Sequence, residues 1–515
     1  MHFFNLLDDV FMSTPVNLKN QTPIFPSFYR GLCVLAVGEL FDRFCYYGIL
    51  TVMILYLVKV FGFSDHQIYA LSGVYSTLGF GLPLLGGLVA DRLLGYRKAI
   101  ILGASCTTIG NIILSIATDL IPIYLGLAFV VTGIGLFKGN VLSQVGTFYS
   151  HQDKRKEGAF AVFYLFMNIG ALMGPIVFGL VVSFWGWHAG FILGAAGMGI
   201  GLILYLFHYR YFYVFLANLG ESGKIKKIWE LAVCAVVFLA IFIFGWMFKN
   251  PEYFSDIVWV FVVLTLGIIF AMFIRRDRSE CKKLLLFLLF IFFSIFYFSA
   301  SRQVNTSIEL FLDRLVARNF LGWDIPTEWF SSVEPIFISI SLIIIAPFWR
   351  KLVELGKQPS PYFLVIFGLF LGGLSLVIFG VSAWMTGLQG AYHDAVNLPL
   401  ILLLIGYLVL GLGELAIFPS VTNLATDLAP KGLQSTFMGF WLLANAFSAY
   451  VGALMADLSV TNSKTGLNSM HHFSRQALAL IYEKAFFEMA LIVFIITLIA
   501  IISFIFLRKY IRSIN

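Results

Sequence analysis

Long apolar stretches recur from one end of the chain to the other, with little but short polar loops between them. A bilayer crossing needs about 20 consecutive, mostly apolar residues. Fourteen segments meet that requirement, at 31–60, 68–90, 98–117, 122–148, 158–184, 189–212, 228–248, 255–274, 284–312, 328–349, 362–387, 397–426, 433–457 and 478–507. In hydrocarbon the backbone must satisfy its own N–H and C=O groups, so such segments fold as helices. The expected fold class is therefore an all-α polytopic membrane protein. Composition points the same way: the chain is 60% hydrophobic and 12% charged. A soluble domain of that make-up would expose one continuous apolar patch.

The basic residues fall in alternate loops. One set of loops holds Arg92, Arg97 and Lys98; Lys154, Arg155 and Lys156; Lys224, Lys226 and Lys227; Arg275, Arg276 and Arg278; Arg350 and Lys351; and Arg508, Lys509 and Arg512. The other set holds scattered cases such as Arg314, Arg318, Lys464 and Arg475. The positive-inside rule places the rich loops and both termini in the cytoplasm. The net charge of +7 is thus a topological signal and gives no reason to expect a nucleic-acid partner. The first 30 residues lack the pattern of a cleaved signal and read as a cytoplasmic segment. Six spans precede the basic linker near 221–228 and six follow the one near 275–283. The expected division is a bundle at 31–220, a two-helix insertion at 221–283 read as lipid-facing filler, and a second bundle at 284–515.

A charge near the bilayer centre costs at least ~2.5–3.5 kcal/mol on insertion scales. The buried ionisable residues, span ends aside, are Glu39, Asp42, Arg43, Lys138, Arg302, Glu334 and Glu414, with Glu309 at the margin. Glu39, Asp42, Arg43 and Tyr46 fall at i, i+3, i+4 and i+7, one face of a helix. Such a stripe must face protein or a water-filled cavity. A purely structural reading has Arg43 neutralising the two acids. Lys138 sits among Gly133, Gly135 and Gly139, which permit close helix approach. Glu414 precedes Pro419 in a Gly-interrupted span, a pattern of transporter sites. No Cys or His spacing suits a metal, and no Gly-rich nucleotide loop follows a strand, so no cofactor is expected. The adjacent His471 and His472 read as a solvated pair. No nucleophile and base converge, so an enzyme is not expected.

These residues resemble the proton-dependent oligopeptide transporters of the major facilitator superfamily. "ELFDRFCYYG" resembles the family's first-span E-x-x-E-R-F-x-Y-Y-G. "GGLVADRLLGYRK" is similar to the superfamily's cytoplasmic loop, with Gly87, Asp91, Arg92, Gly95 and Arg97 at its conformationally important positions. "GIGLFKGN", "FYLFMNIGALMGP", "GELAIFPS" and "MGFWLLANA" resemble later signatures, in order along nearly the whole chain. The resemblance implies the major facilitator fold: two six-helix bundles plus the two extra helices of bacterial members. It implies alternating access, proton-coupled uptake of di- and tripeptides or peptide-like molecules, a bacterial inner membrane and a functional monomer. Carried over by position, Glu39, Asp42 and Arg43 are the proton-coupling cluster, and Lys138 pairs with acids and holds a substrate carboxylate. Tyr46, Tyr47 and Asn168 line the pocket, Glu414 meets the substrate's amino group, and Trp441 forms the second-half wall. Arg302 and Glu334 occupy pocket positions as well.

The chain departs from the family at linked places. Leu50 stands where a first-span Arg is usual, Gly139 where a Pro is usual, and Phe80 where a pocket Tyr is usual. Arg302 stands at a seventh-span acid and Glu334 at an eighth-span Asn. Each of the last two alone would be an unpaired buried charge, so an Arg302–Glu334 pair is expected. The alternative function is a major facilitator transporter of another amino-acid-derived or anionic metabolite, with altered or absent proton coupling.

Overall fold

The structure, a computed structural model, describes residues 25–147, 155–218, 227–274, 277–320, 323–357, 359–388, 398–429, 434–461 and 474–511. His471 and His472, the basic residues Lys154, Lys224, Lys226, Arg275, Arg276, Lys464 and Arg512, and most of the 1–30 segment lie outside the described residues. The helices are α1 (Phe25–Phe61), α2 (Asp65–Val89), α3 (Tyr96–Ile116), α4 (Leu120–Thr147), α5 (Arg155–Trp185), α6 (Trp187–Asn218), α7 (Lys227–Lys249) and α8 (Phe254–Ile274). They continue as α9 (Arg278–Ser301), α10 (Ser307–Leu315), α11 (Val333–Glu354), α12 (Pro361–Leu388), α13 (Leu398–Asp427), α14 (Gln434–Thr461) and α15 (Arg475–Ile511). Two-residue strands at Asn319–Phe320 and Trp323–Asp324 form a small antiparallel ladder. Among the described residues, thirteen helical segments are long and apolar enough to cross a membrane. The 21-residue α8 lies at the remaining expected span.

The packing builds two facing bundles. In the first, α3 packs on α4 and α6, α1 on α5 and α6, and α2 on α4. In the second, α12 packs on α13 and α15, α9 on α14, and α11 on α13. The bundles meet where α2 lies along α14, and where α5 meets α11 and the 3-10 turn Thr327–Ser332. The inserted α7 packs on α4 and keeps an exposed apolar face with Val236, Phe238 and Leu239. The insertion is more than filler. The Ser255 hydroxyl at the start of α8 lies 2.6 Å from the Tyr450 hydroxyl of α14, so the insertion touches the second bundle as well as the first.

Close backbone approach sets the first bundle. A Cβ on Gly86 of α2 would lie 1.9 Å from the Gly135 carbonyl oxygen of α4, so no larger residue fits there. Asn140 then donates from Nδ2 to the Gly86 carbonyl at 3.2 Å and to the Leu136 carbonyl at 2.7 Å. The small residues beside Lys138 therefore bring α2 against α4. At the loop after α2, Gly95 adopts φ +74°, a backbone that glycine reaches without strain. Asp91 accepts from the Tyr96 hydroxyl at 2.8 Å. Gly87 has open space around a would-be Cβ, so packing does not demand glycine there in this conformation.

Candidate functional site

The α1 stripe points into the interior. Arg43 Nε donates to Glu39 Oε1 at 2.8 Å, one turn apart. Glu39 and Asp42 are each 1% exposed. Glu39 Oε2 and both Asp42 oxygens have no hydrogen-bond partner. The local arrangement is thus one satisfied ion pair with spare acceptor capacity beside it. Tyr46 is buried against Tyr75, with ring centroids 5.3 Å apart, and against Tyr47 at 5.0 Å.

Lys138, on α4, enters the same interior. Its Nζ sits 4.3 Å from the Phe80 ring centroid and 5.6 Å from that of Tyr46. Among the described residues it forms no direct ion pair, which corrects the expectation that it pairs with acids; Asp42 and Glu39 act on it only at longer range. The aromatic faces hold the ammonium instead. Phe80 makes this possible, because a ring at that position accepts a cation with or without a hydroxyl.

Across the interface, the seventh span is broken. After α9 the chain makes a 3-10 turn over Arg302–Asn305, then resumes as α10. Gln303, fully buried, staples the break. Its Nε2 donates to the carbonyls of Ser299 at 3.0 Å and Gly452 at 2.9 Å. Its Oε1 accepts from the hydroxyls of Ser307 at 2.7 Å and Thr306 at 3.3 Å. The hydropathy predicts a continuous span over 284–312, and the break falls in its polar run Arg302, Gln303, Asn305, Thr306. Discontinuous helices are where transporters place their sites.

Arg302 leans from this break onto the first bundle. Its guanidinium carbon lies 4.3 Å from the Phe80 centroid. Leu50 and Arg302 line one small cavity with Ser72, Ser76 and Asn305. The side chain missing from α1 and the one gained at the break therefore face each other. The expected Arg302–Glu334 pair is not formed. Glu334 Oε1 instead accepts from the Ser301 hydroxyl at 3.3 Å, and Arg302 Nε has no partner. Ser301 and Arg302 project about 100° apart on a helical turn, so one faces α11 and the other Phe80. A double-mutant cycle on thermal stability with Arg302→Gln and Glu334→Asn should accordingly show coupling below about 0.5 kcal/mol. Coupling of 1 kcal/mol or more would instead restore the ion pair.

Glu414 is half-buried on α13, which continues as a helix through Pro419. Tyr164 of α5 feels the charges of both Glu414 and Arg43, which places Glu414 across the interface from the first bundle. Trp441 is buried, with the Phe298 and Phe418 rings 5.7 and 5.9 Å away. Asn168 is half-buried and donates to the Tyr164 carbonyl at 2.8 Å.

One end of the interface is shut by contacts that sequence reasoning missed. Arg314 of α10 holds Asp65 of α2 through two hydrogen bonds, both 2.6 Å. It also donates to the Tyr482 hydroxyl at 3.0 Å. Lys59 meets Asp313 at 2.7 Å, and His66 meets Asp457 at 2.7 Å. Trp329 Nε1 donates to the Ile176 carbonyl at 3.0 Å and the Ser332 hydroxyl to the Leu172 carbonyl at 2.7 Å. The Arg314, Lys59 and His66 contacts lie at the end away from the Asp91–Arg97 loop.

A family model described as the POT family matches residues 97–472. The chain belongs to the POT family. Its relatives include the peptide transporter YePEPT of Yersinia enterocolitica, 28% identical over 469 residues, covering 86% of this chain and 90% of that protein. Dipeptide and tripeptide permease A of Serratia proteamaculans is 26% identical over 478 residues, covering 90% and 89%. A crystal structure of a POT family transporter in complex with a thioalcohol-conjugated peptide is 27% identical, with TM-score 0.76 and coverage of 92% and 96%. The same figures hold for a POT family transporter in complex with 5-aminolevulinic acid. As a POT family member the protein has the major facilitator fold, a multi-pass all-α architecture with its candidate site between two bundles.

Proposed function

We propose that this POT family protein is a secondary active transporter. It takes up di- and tripeptides, or peptide-like molecules, together with protons by alternating access. The observation that carries the reading is charge of opposite sign presented from opposite bundles: Lys138 from the first, Glu414 and Glu334 from the second. A zwitterion bridging them draws the bundles together, as a change of access requires. The relatives that bear peptide-transport names, and the peptide-bound neighbour, support the substrate class.

In this reading Glu39, Asp42 and Arg43 carry the coupling proton, while Tyr46, Tyr47, Asn168, Arg302 and Trp441 shape the pocket. The loop with Gly87, Asp91, Arg92, Gly95 and Arg97 rearranges as access changes. The functional units are 31–220, the insertion 221–283 and 284–515, after a cytoplasmic 1–30 segment. The basic loops put that loop and both termini in the cytoplasm of a bacterial inner membrane. The latched end is then extracellular. One chain carries all of these groups, so a monomer suffices. In proteoliposomes, labelled dialanine should accumulate under an imposed inward proton gradient, and a protonophore should abolish the accumulation. Neither accumulation nor counterflow of any di- or tripeptide would reject the reading.

A further inference from the structure

The cavity carries more charge of each sign than a simple zwitterion needs. Lys138 Nζ and Arg302 Cζ each stand 4.3 Å from one ring centroid, that of Phe80. The two cations therefore lie within twice that distance of each other, held by the same aromatic side chain. Among the described residues, neither forms an ion pair and neither charged head group has a hydrogen-bond acceptor. The nearby acid Glu39 holds Arg43 through one oxygen and acts on Lys138 at longer range. Asp42 is buried with both oxygens unpartnered, and it acts on Lys138 only at longer range. Lys138 and Arg302 thus offer donors that none of the described residues fills. Arg302 Nε is buried without an acceptor, which is costly, so a ligand that fills it gains correspondingly.

The opposite pole is also doubled. Gly411 of α13 packs on the start of α11: a Cβ there would lie 3.6 Å from the Glu334 carbonyl oxygen. Glu414 is one turn further along α13, and Glu334 and Glu414 act on each other electrostatically. Glu334 accepts a hydrogen bond from Ser301, and Arg302 acts on both Glu334 and Glu414 at longer range.

We propose that this is a polarised peptide site: Lys138 and Arg302 form a paired cationic pole on Phe80, Glu334 and Glu414 form a paired acidic pole, and the site selects peptides in which a basic residue precedes an acidic one. The inference rests on the peptide-transport reading. A dipeptide such as Lys-Asp puts its side-chain carboxylate beside its C-terminal carboxylate and its side-chain ammonium beside its N-terminus. Both extra charges then match the cavity. Asp-Lys has the same composition and net charge, but both side chains oppose the poles.

The test is competition against counterflow of labelled dialanine in proteoliposomes. Lys-Asp should compete at least about tenfold better than Asp-Lys, the size of one charge-assisted hydrogen bond. Arg302→Gln and Glu334→Gln should each move that ratio toward one, whatever their effect on dialanine itself. If either variant fails to fold, the wild-type ratio still decides. Equal competition by the two isomers, with dialanine transported, would overturn the polarised site and leave the peptide reading standing. A variant that keeps the full ratio would overturn that residue's assignment. If dialanine and both isomers all fail, the peptide reading itself falls.

Discussion

Glu39→Gln is expected to abolish proton-driven accumulation of peptide while leaving counterflow in place. The geometry separates the two effects. Arg43 Nε donates to Glu39 Oε1 at 2.8 Å, and the amide oxygen of glutamine can accept the same bond. The substitution therefore keeps the contact and the volume, and stability should change by about 1 kcal/mol or less. What it removes is the site for a proton. In the wild type, protonating Glu39 or its unpartnered neighbour Asp42 weakens their hold on Arg43 and so changes the charge balance that Lys138 senses. A driven cycle requires that change, whereas exchange of substrate between bound states does not. Accumulation under an imposed pH gradient, measured beside counterflow in the same vesicles, distinguishes the two. Undiminished accumulation would remove Glu39 from the coupling cluster.

What was legible in the sequence was local. The membrane helices follow from length and hydropathy, because lipid leaves the backbone no other arrangement. The Glu39–Arg43 pair was legible because i, i+4 neighbours meet in any helix. The glycines around Lys138 pointed to close packing, and α2 does approach α4 there, although the tightest contact belongs to Gly86. What failed was the choice among distant partners. Arg302 and Glu334 lie on adjacent spans, yet one-residue offsets on a helical turn send Ser301 to Glu334 and Arg302 to Phe80. The break at Arg302–Asn305 depends on Gln303 reaching the backbone of α14, a contact 149 residues away. Asp65 and Arg314 are 249 residues apart, each an ordinary charge near a span end until the fold joins them.

Arg314→Ala should open the latched end of the transporter, and the three ion pairs there are not equal in this. The Lys59 and His66 side chains are 45% and 54% exposed, and exposed pairs contribute about 0–1 kcal/mol. Asp65 is 3% exposed and gripped at both oxygens by Arg314. Removing one partner of a buried pair typically costs about 3–5 kcal/mol, because the other charge is left without compensation. Here that cost is confined to the closed state: once α2 and α10 separate, water solvates Asp65. The mutation should therefore shift the closed-to-open equilibrium by roughly a hundred- to several-thousand-fold rather than unfold the bundle. The readout is a single cysteine at Ser76, which lines the small cavity beside Arg302, in a background without the native cysteines. Labelling by a membrane-impermeant maleimide applied from outside should rise sharply in Arg314→Ala, and peptide uptake should stall because the cycle cannot reclose. Adding Asp65→Ala removes the orphaned carboxylate, so the double variant should label less than the single one. Unchanged labelling in Arg314→Ala, or a double variant more open than the single, would show that this pair does not hold the gate.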